Sequence, residues 1–197
     1  MKKTAVLIYN QFCNFEISVA LEMLALAQKP MTVFAKTSET VTSEEGLRVI
    51  PDKTISQIEL SEYDSLLLPG AMDIREAVED EEILAFIRLF DRDDKVIGAI
   101  SIAPILLVKS GVMRARPFMA GVNREELLEE GFSEEELANM QGWDDNLKNP
   151  VAEGYIASGN IITAVSYDFV RFALAFGKRL GIEMPAETFG IRGENEI

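Results

Sequence analysis

Lys95-Val96-Ile97-Gly98-Ala99-Ile100-Ser101-Ile102-Ala103-Pro104 is the stretch that decides how this chain folds. Lys95 to Ser101 is a short, nearly continuous apolar run, the pattern of a strand buried on both faces of a parallel sheet. It runs straight into an apolar helix, Ala103 to Ser110, which Gly111 terminates. The junction, Ala99-Ile100-Ser101-Ile102-Ala103-Pro104, has the form small-x-Ser-x-small between a strand and a helix. This is the nucleophile-elbow pattern: the tight turn admits only small neighbours and presents one side chain at the positive end of the helix. Pro104 suits the first helical turn, where its missing N–H costs nothing. The same string also fits an ordinary helix N-cap serine above a buried strand.

Outward from this junction, strands and helices alternate. Ala5 to Tyr9 is a second short apolar run, followed by helical spacing over Phe15 to Ala27 with Phe15, Val19, Leu21, Leu24 and Leu26 as its apolar positions. Pro30 stops that helix, and Met31 to Ala35 reads as a strand. The polar stretch Val41 to Ile55, with Gly46 and Pro51, is expected to hold short hairpin strands. Ser65 to Gly70 is a buried strand ending in a turn, and Asp80 to Phe90 an amphipathic helix with Ile83, Leu84, Ile87 and Phe90 on one face. Arg124 to Gln141 reads as an acidic helical pair: Gly131 closes the first helix, and Ser133 with Glu136 forms a capping box for the second. Tyr155 to Thr163 is a hairpin turning at Ser158-Gly159-Asn160, and Tyr167 to Leu180 a long helix with Phe169, Phe172, Ala173 and Phe176 facing inward. The expected fold is therefore α/β, a mostly parallel sheet sandwiched by helices, with one domain over 1–183 and a loose C-terminal tail over 184–197.

Composition narrows the function. A chain of 197 residues builds one ordinary core. The net charge of −14, from 33 acidic and 19 basic side chains, repels phosphate backbones and anionic lipid, which argues against nucleic-acid and membrane binding. No apolar run reaches the ~20 residues that span a bilayer. The opening Met1-Lys2-Lys3 leads into a strand rather than a signal sequence, and the one cysteine, Cys13, fits a reducing cytoplasm. The sequence contains no histidine. That removes Ser-His-Asp and Cys-His catalysis and imidazole metal sites from the chain, and neither a metal nor a cofactor is expected.

Ligands of open α/β sheets bind beyond the carboxyl ends of the strands, so three loops matter: 10–16, 69–73 and 101–104. On these residues the chain resembles the ThiJ/PfpI family, relatives of the class I glutamine amidotransferases, over nearly its whole length to about Leu180. The family carries a nucleophilic cysteine in a turn of the type Ala-Ile-Cys-His-Gly-Pro, where this sequence reads Ala99-Ile100-Ser101-Ile102-Ala103-Pro104. The family's acidic residue at the start of the first helix corresponds to Glu16 in Phe15-Glu16, with Glu22 further along. Its Pro-Gly-Gly loop, whose backbone helps form an oxyanion site, corresponds to Pro69-Gly70-Ala71, and its strand–turn–strand ending to Gly159 through Ala164. A second histidine of the family would fall near Gly121. The resemblance implies a flavodoxin-like fold and a homodimer, while Ser101 and Ile102 at the cysteine and histidine positions withhold the family's cysteine chemistry.

Two functions follow. Ser101 is a weak nucleophile without a real base, and Glu16 is a weak base unless burial raises its pKa, which would leave it mainly protonated. The pair then reads as hydrogen-bonded, and the chain as a catalytically degenerate member that binds a small polar ligand or serves as a dimeric interaction module. The alternative is a hydrolase, amidase or glyoxalase-like lyase with Ser101 as nucleophile, Glu16 as acid/base and the N–H groups of Ala71 and Ile102 as an oxyanion hole. Cys13, three residues before Glu16, is expected to line the same pocket, as a stand-in thiol or as inert packing. Trp143 and Phe118 are candidates for its walls and equally for the core, and the acidic segment 124–141 for a lid, a partner surface or a solvated face.

Overall fold

The computed structural model describes residues 1–141, 151 and 153–191. In chain order the elements are β1 (Lys3–Leu7), α1 (Asn14–Leu26), β2 (Met31–Ala35), β3 (Val41–Thr42), β4 (Arg48–Val49), β5 (Lys53–Thr54) and β6 (Tyr63–Leu68). There follow α2 (Arg75–Glu79), α3 (Glu81–Arg88), β7 (Val96–Ile100), α4 (Pro104–Lys109), β8 (Phe118–Met119), α5 (Arg124–Glu129), β9 (Met140–Gln141), β10 (Ile156–Ser158), β11 (Ile161–Ala164) and α6 (Phe169–Arg179).

The main sheet has the order β10-β11-β7-β6-β1-β2-β5, parallel throughout except for β10, which pairs antiparallel with β11. Gly159 supplies φ +61° at the first of the two residues joining these strands, the position that a II′ turn reserves for glycine. From β1 the chain crosses to β2 on one side, whereas β6, on the other flank of β1, leads on to β7. Neighbouring strands β1 and β6 thus send their loops in opposite directions. The right-handed rule then puts their crossover helices on opposite faces of the sheet, and a crevice opens between the carboxyl ends of the two strands.

One face carries α1 packed on α6; the other carries α2, α3 and α4. Phe34 of β2 meets Phe86 of α3, with ring centroids 5.0 Å apart. Gly98 sits where α6 lies closest to the sheet: a Cβ there would meet Phe176 at 2.8 Å and Phe172 at 3.0 Å. A single core runs from Ala5 to Phe176. No helix among the described residues is long and apolar enough to cross a membrane.

Three expectations need correction. The buried face of α1 is Glu16, Ile17, Ala20, Met23 and Leu24, while Phe15 and Leu26 are exposed. Every turn of this helix carries apolar residues all round, so periodicity does not select a face, and the sheet-side stripe includes a carboxylic acid. The second acidic helix does not form. The capping box of Ser133 and Glu136 is made, but the turn it starts gives way to the two-residue strand β9, which pairs with β8 and buries Leu137 and Met140. The tail is not loose up to residue 191: Met184 and Phe189 pack on the core around a 3-10 turn at Ala186–Phe189. Apolar side chains at those positions cover α6 better than they tolerate water. Trp143 lies outside the described residues.

The Gly98 contact gives a direct test of this packing. Gly98→Ala should lower stability by about 1–3 kcal/mol, because the added methyl must displace two buried phenylalanine rings. Urea denaturation checks it, with the midpoint moving and the m-value unchanged.

Candidate functional site

The site grows from the β1–β6 crevice. After β1, Gln11 takes φ +60° and turns the chain back on itself, so that Phe12 bridges Ala71 in the loop after β6. Two backbone bonds clamp the loops together, Cys13 N–H to Gly70 carbonyl at 2.8 Å and Met72 N–H to Gln11 carbonyl at 3.1 Å. The buried Tyr9 hydroxyl donates to the Pro69 carbonyl and fixes the start of the second loop. Cys13 is the N-cap residue of α1, and its side chain leaves the cap unfilled. Glu45, from the β3–β4 hairpin, supplies the missing acceptor to the N–H groups of Phe15 at 3.1 Å and Asn14 at 3.4 Å. Glu16 is thereby free to turn inward.

Its side chain is 2% exposed, and Oε2 accepts the Gly70 N–H at 2.8 Å. The Ser101 hydroxyl and the Cys13 thiol reach the same carboxyl group. No side chain fits at position 70: a Cβ there would lie 2.5 Å from Glu16 Oε2 and 2.7 Å from Ser101 Cβ. Glycine here is required by the close approach of the Glu16 carboxyl group and the Ser101 side chain, not by φ.

Ser101 stands at the tip of β7 with φ +61°. For a residue with a Cβ this left-handed conformation costs about 1–2 kcal/mol, and backbone bonds on both sides hold it: its N–H donates to the Ala164 carbonyl at 2.8 Å and its carbonyl accepts from Gly121 at 2.7 Å. Pro104 is the first residue of α4. Gly121 therefore touches the elbow through its backbone. Beside Gly70 and Ser101 stand the amides of Ala71 and Ile102, which among the described residues have no hydrogen-bond acceptor. Ala71 is the non-bonded member of its bridge, so its N–H points away from the Phe12 strand.

Burial pushes the Glu16 carboxyl above the usual 4.5, against hydrogen bonds from Ser101, Gly70 and Cys13 that favour the charged form; the nearby Glu44 adds to the rise. Burial likewise pushes the Cys13 thiol far up, reinforced by its hydrogen bond to Glu44 and by the charge of Glu16. The thiol is 4% exposed and stays protonated, the opposite of the cation-rich setting that makes a cysteine reactive. Cys13, Glu44 and Glu45 offer a sulfur and carboxylate oxygens within 4.8 Å of one another, a spacing that admits a divalent cation. Here the thiol donates a hydrogen bond to Glu44, and Glu45 caps α1.

The structure thus brings Glu16, Cys13, Gly70, Ala71, Ser101, Ile102 and Gly121 to one end of the sheet, while Glu22 is exposed elsewhere on α1. Phe118 is fully buried on β8. Sequence reasoning missed Tyr9, Glu44 and Glu45. Gly46, at φ +87°, marks the hairpin turn that carries the two glutamates, but no local pattern says where that hairpin docks.

Residues 2–179 match the DJ-1/PfpI family. Protein/nucleic acid deglycase 2 of Escherichia coli (strain K12) is 33% identical over 121 residues, covering 60% of this chain and 70% of that protein. General stress protein 18 of Bacillus subtilis (strain 168) is 28% identical over 117 residues, 58% of this chain and 68% of that protein. Among solved structures, the DJ-1 superfamily protein Atu0886 from Agrobacterium tumefaciens superposes with a TM-score of 0.78 at 19% identity, over 96% of this chain and 95% of the other. A likeness at that identity concerns the fold.

The raised Glu16 pKa has a signed consequence. The folded chain holds this proton to higher pH than the unfolded chain does. The associated stability is fully present below the unfolded value near 4.5 and is lost as pH rises through the folded value. Glu16→Gln keeps the shape and removes the titration. The stability of Glu16→Gln minus that of wild type should therefore grow from about pH 4.5 upward and then level off, by about 1.4 kcal/mol per tenfold difference in proton affinity. Melts of both proteins between pH 4 and 8 measure it.

Proposed function

The chain belongs to the DJ-1/PfpI family, and on that premise we propose that it binds a small polar ligand reversibly at the Glu16–Gly70–Ser101 centre, without covalent turnover. The observation that carries this reading is the Ser101 hydroxyl bonded to a buried carboxyl of raised pKa, in a sequence with no histidine. A serine needs a base to attack a carbonyl. Below its raised pKa the carboxyl cannot act as one; it donates to the Ser101 oxygen instead, which leaves the serine proton free to point outward.

With that proton and the unfilled amides of Ala71 and Ile102, the centre offers donors and asks for an acceptor. The ligand class is a small carbonyl or carboxylate compound. Its binding weakens as pH rises through the Glu16 pKa, because the ionised carboxylate claims the Ser101 proton and repels an anionic ligand. Ser101 in this reading occupies the family's nucleophile position, and the protein works as a homodimer in the cytoplasm.

A second reading keeps Ser101 as a nucleophile with Glu16 as acid/base, in a hydrolase or lyase related to the deglycase that the chain resembles. Its support is the strained φ of +61° at Ser101, which exists to present that side chain. Glyoxalase, amidase and esterase assays on wild type, Ser101→Ala and Ser101→Cys separate the two. Reversible binding predicts silence in wild type and Ser101→Ala, with turnover emerging in Ser101→Cys. Wild-type turnover that disappears in Ser101→Ala would establish the serine enzyme instead.

A further inference from the structure

Beside the Glu16–Ser101 centre lies a cavity of about 310 Å³ between α2, α4 and α5. That volume is at the lower end of the range for small-molecule sites, about 300–1,000 Å³. Ile74, Val78, Ile102, Ile105, Leu127 and Phe132 form its walls, and Arg75, Lys109, Glu79 and Glu130 its rim. Ile102 follows Ser101 directly, so this cavity adjoins the elbow without containing the serine.

The rim charges are not equivalent. Arg75 is held by a bidentate bond to Asp73, Nε to Oδ1 and Nη2 to Oδ2. Lys109 pairs with Glu136 at 3.3 Å and lies 3.9 Å above the Phe132 ring, so its charge is satisfied from two sides. Glu79 and Glu130 have no ion pair among the described residues; they act on Arg75 only at a distance, behind its bond to Asp73. The mouth therefore carries two carboxylates in excess over cations that are already engaged, above a floor of aliphatic side chains and one aromatic ring. An anion would have to displace Asp73 or Glu136 from its partner. A neutral apolar molecule would leave the rim carboxylates unanswered.

We propose that this cavity binds a small organic ammonium, with its alkyl or aryl body between Val78, Ile105 and Phe132 and its charged head at Glu79 and Glu130. The site is separate from the Glu16–Ser101 centre and stands whether or not that centre turns a substrate over.

Calorimetric titration of the full chain at pH 7 with phenethylamine tests it, beside 2-phenylethanol and 3-phenylpropionate as neutral and anionic matches of the same body. The amine should bind, the alcohol about three- to tenfold more weakly, as two exposed charge contacts allow, and the acid more weakly still. Glu79→Gln with Glu130→Gln should bring the amine down to the alcohol. Val78→Trp should fill the cavity and remove both, with a circular dichroism melt reporting that the variant is folded. Equal affinity for amine and acid, absence of binding by all three compounds, or an amine affinity unchanged in the double glutamine variant would each overturn the proposal. Loss of amine binding in Ser101→Ala would also overturn it, by moving the amine to the elbow.

Discussion

The Gly70 N–H bond to Glu16 is the contact on which the functional end of this protein depends. It joins the loop after β6 to the first turn of α1 across the switch in strand order, and it does so with a buried carboxyl group. Burying a carboxyl without partners costs several kcal/mol, so the surroundings are arranged to answer it. Gly70 supplies an amide and the absence of a side chain, Ser101 a hydroxyl, and Cys13 a thiol. Glu45 relieves Glu16 of the helix-capping role that an acidic residue at this position would ordinarily take.

That arrangement also limits the chemistry. The elbow holds Ser101 in a conformation that costs energy and serves presentation, yet the group it presents to is a carboxyl whose burial raises its pKa. The thiol next to it is equally unsuited to attack, since burial and its hydrogen bond to Glu44 keep its proton in place. What surrounds the carboxyl is a set of hydrogen-bond donors, and the proposed ligand is accordingly an acceptor. The apolar cavity on the far side of Ile102 has the complementary character, with engaged cations and surplus carboxylates. The two ligands proposed for these places differ accordingly, an acceptor at the elbow and an ammonium in the cavity.

Much of this is legible in the sequence where local patterns carry it. The apolar runs at Ala5, Ser65 and Lys95 announce strands buried on both faces, and Ala99 to Pro104 announces the elbow because a tight turn restricts its neighbours to small residues. Pro69-Gly70 and Glu16 are recognisable from their places after a strand and at the start of a helix. The less legible parts depend on contacts distant in sequence. Which face of α1 is buried follows from α6 and the sheet, and the role of Glu45 from where a hairpin of two-residue strands docks. Ser133 to Gln141 carries a sound capping box, but pairing with Phe118–Met119 outweighs helix propensity over so short a segment.

The most direct test of the account is the titration of Glu16 itself. Carbon-detected NMR of the side-chain carboxyl, assigned through Glu16→Gln, follows its protonation across pH 3 to 8. The account predicts a midpoint above the ordinary glutamate value near 4.5, with the Ser101 resonances moving over the same range. A midpoint at or below 4.5 would mean an ionised carboxylate at neutral pH that draws the serine proton inward. That result would contradict the raised carboxyl pKa on which the proposed ligand binding rests.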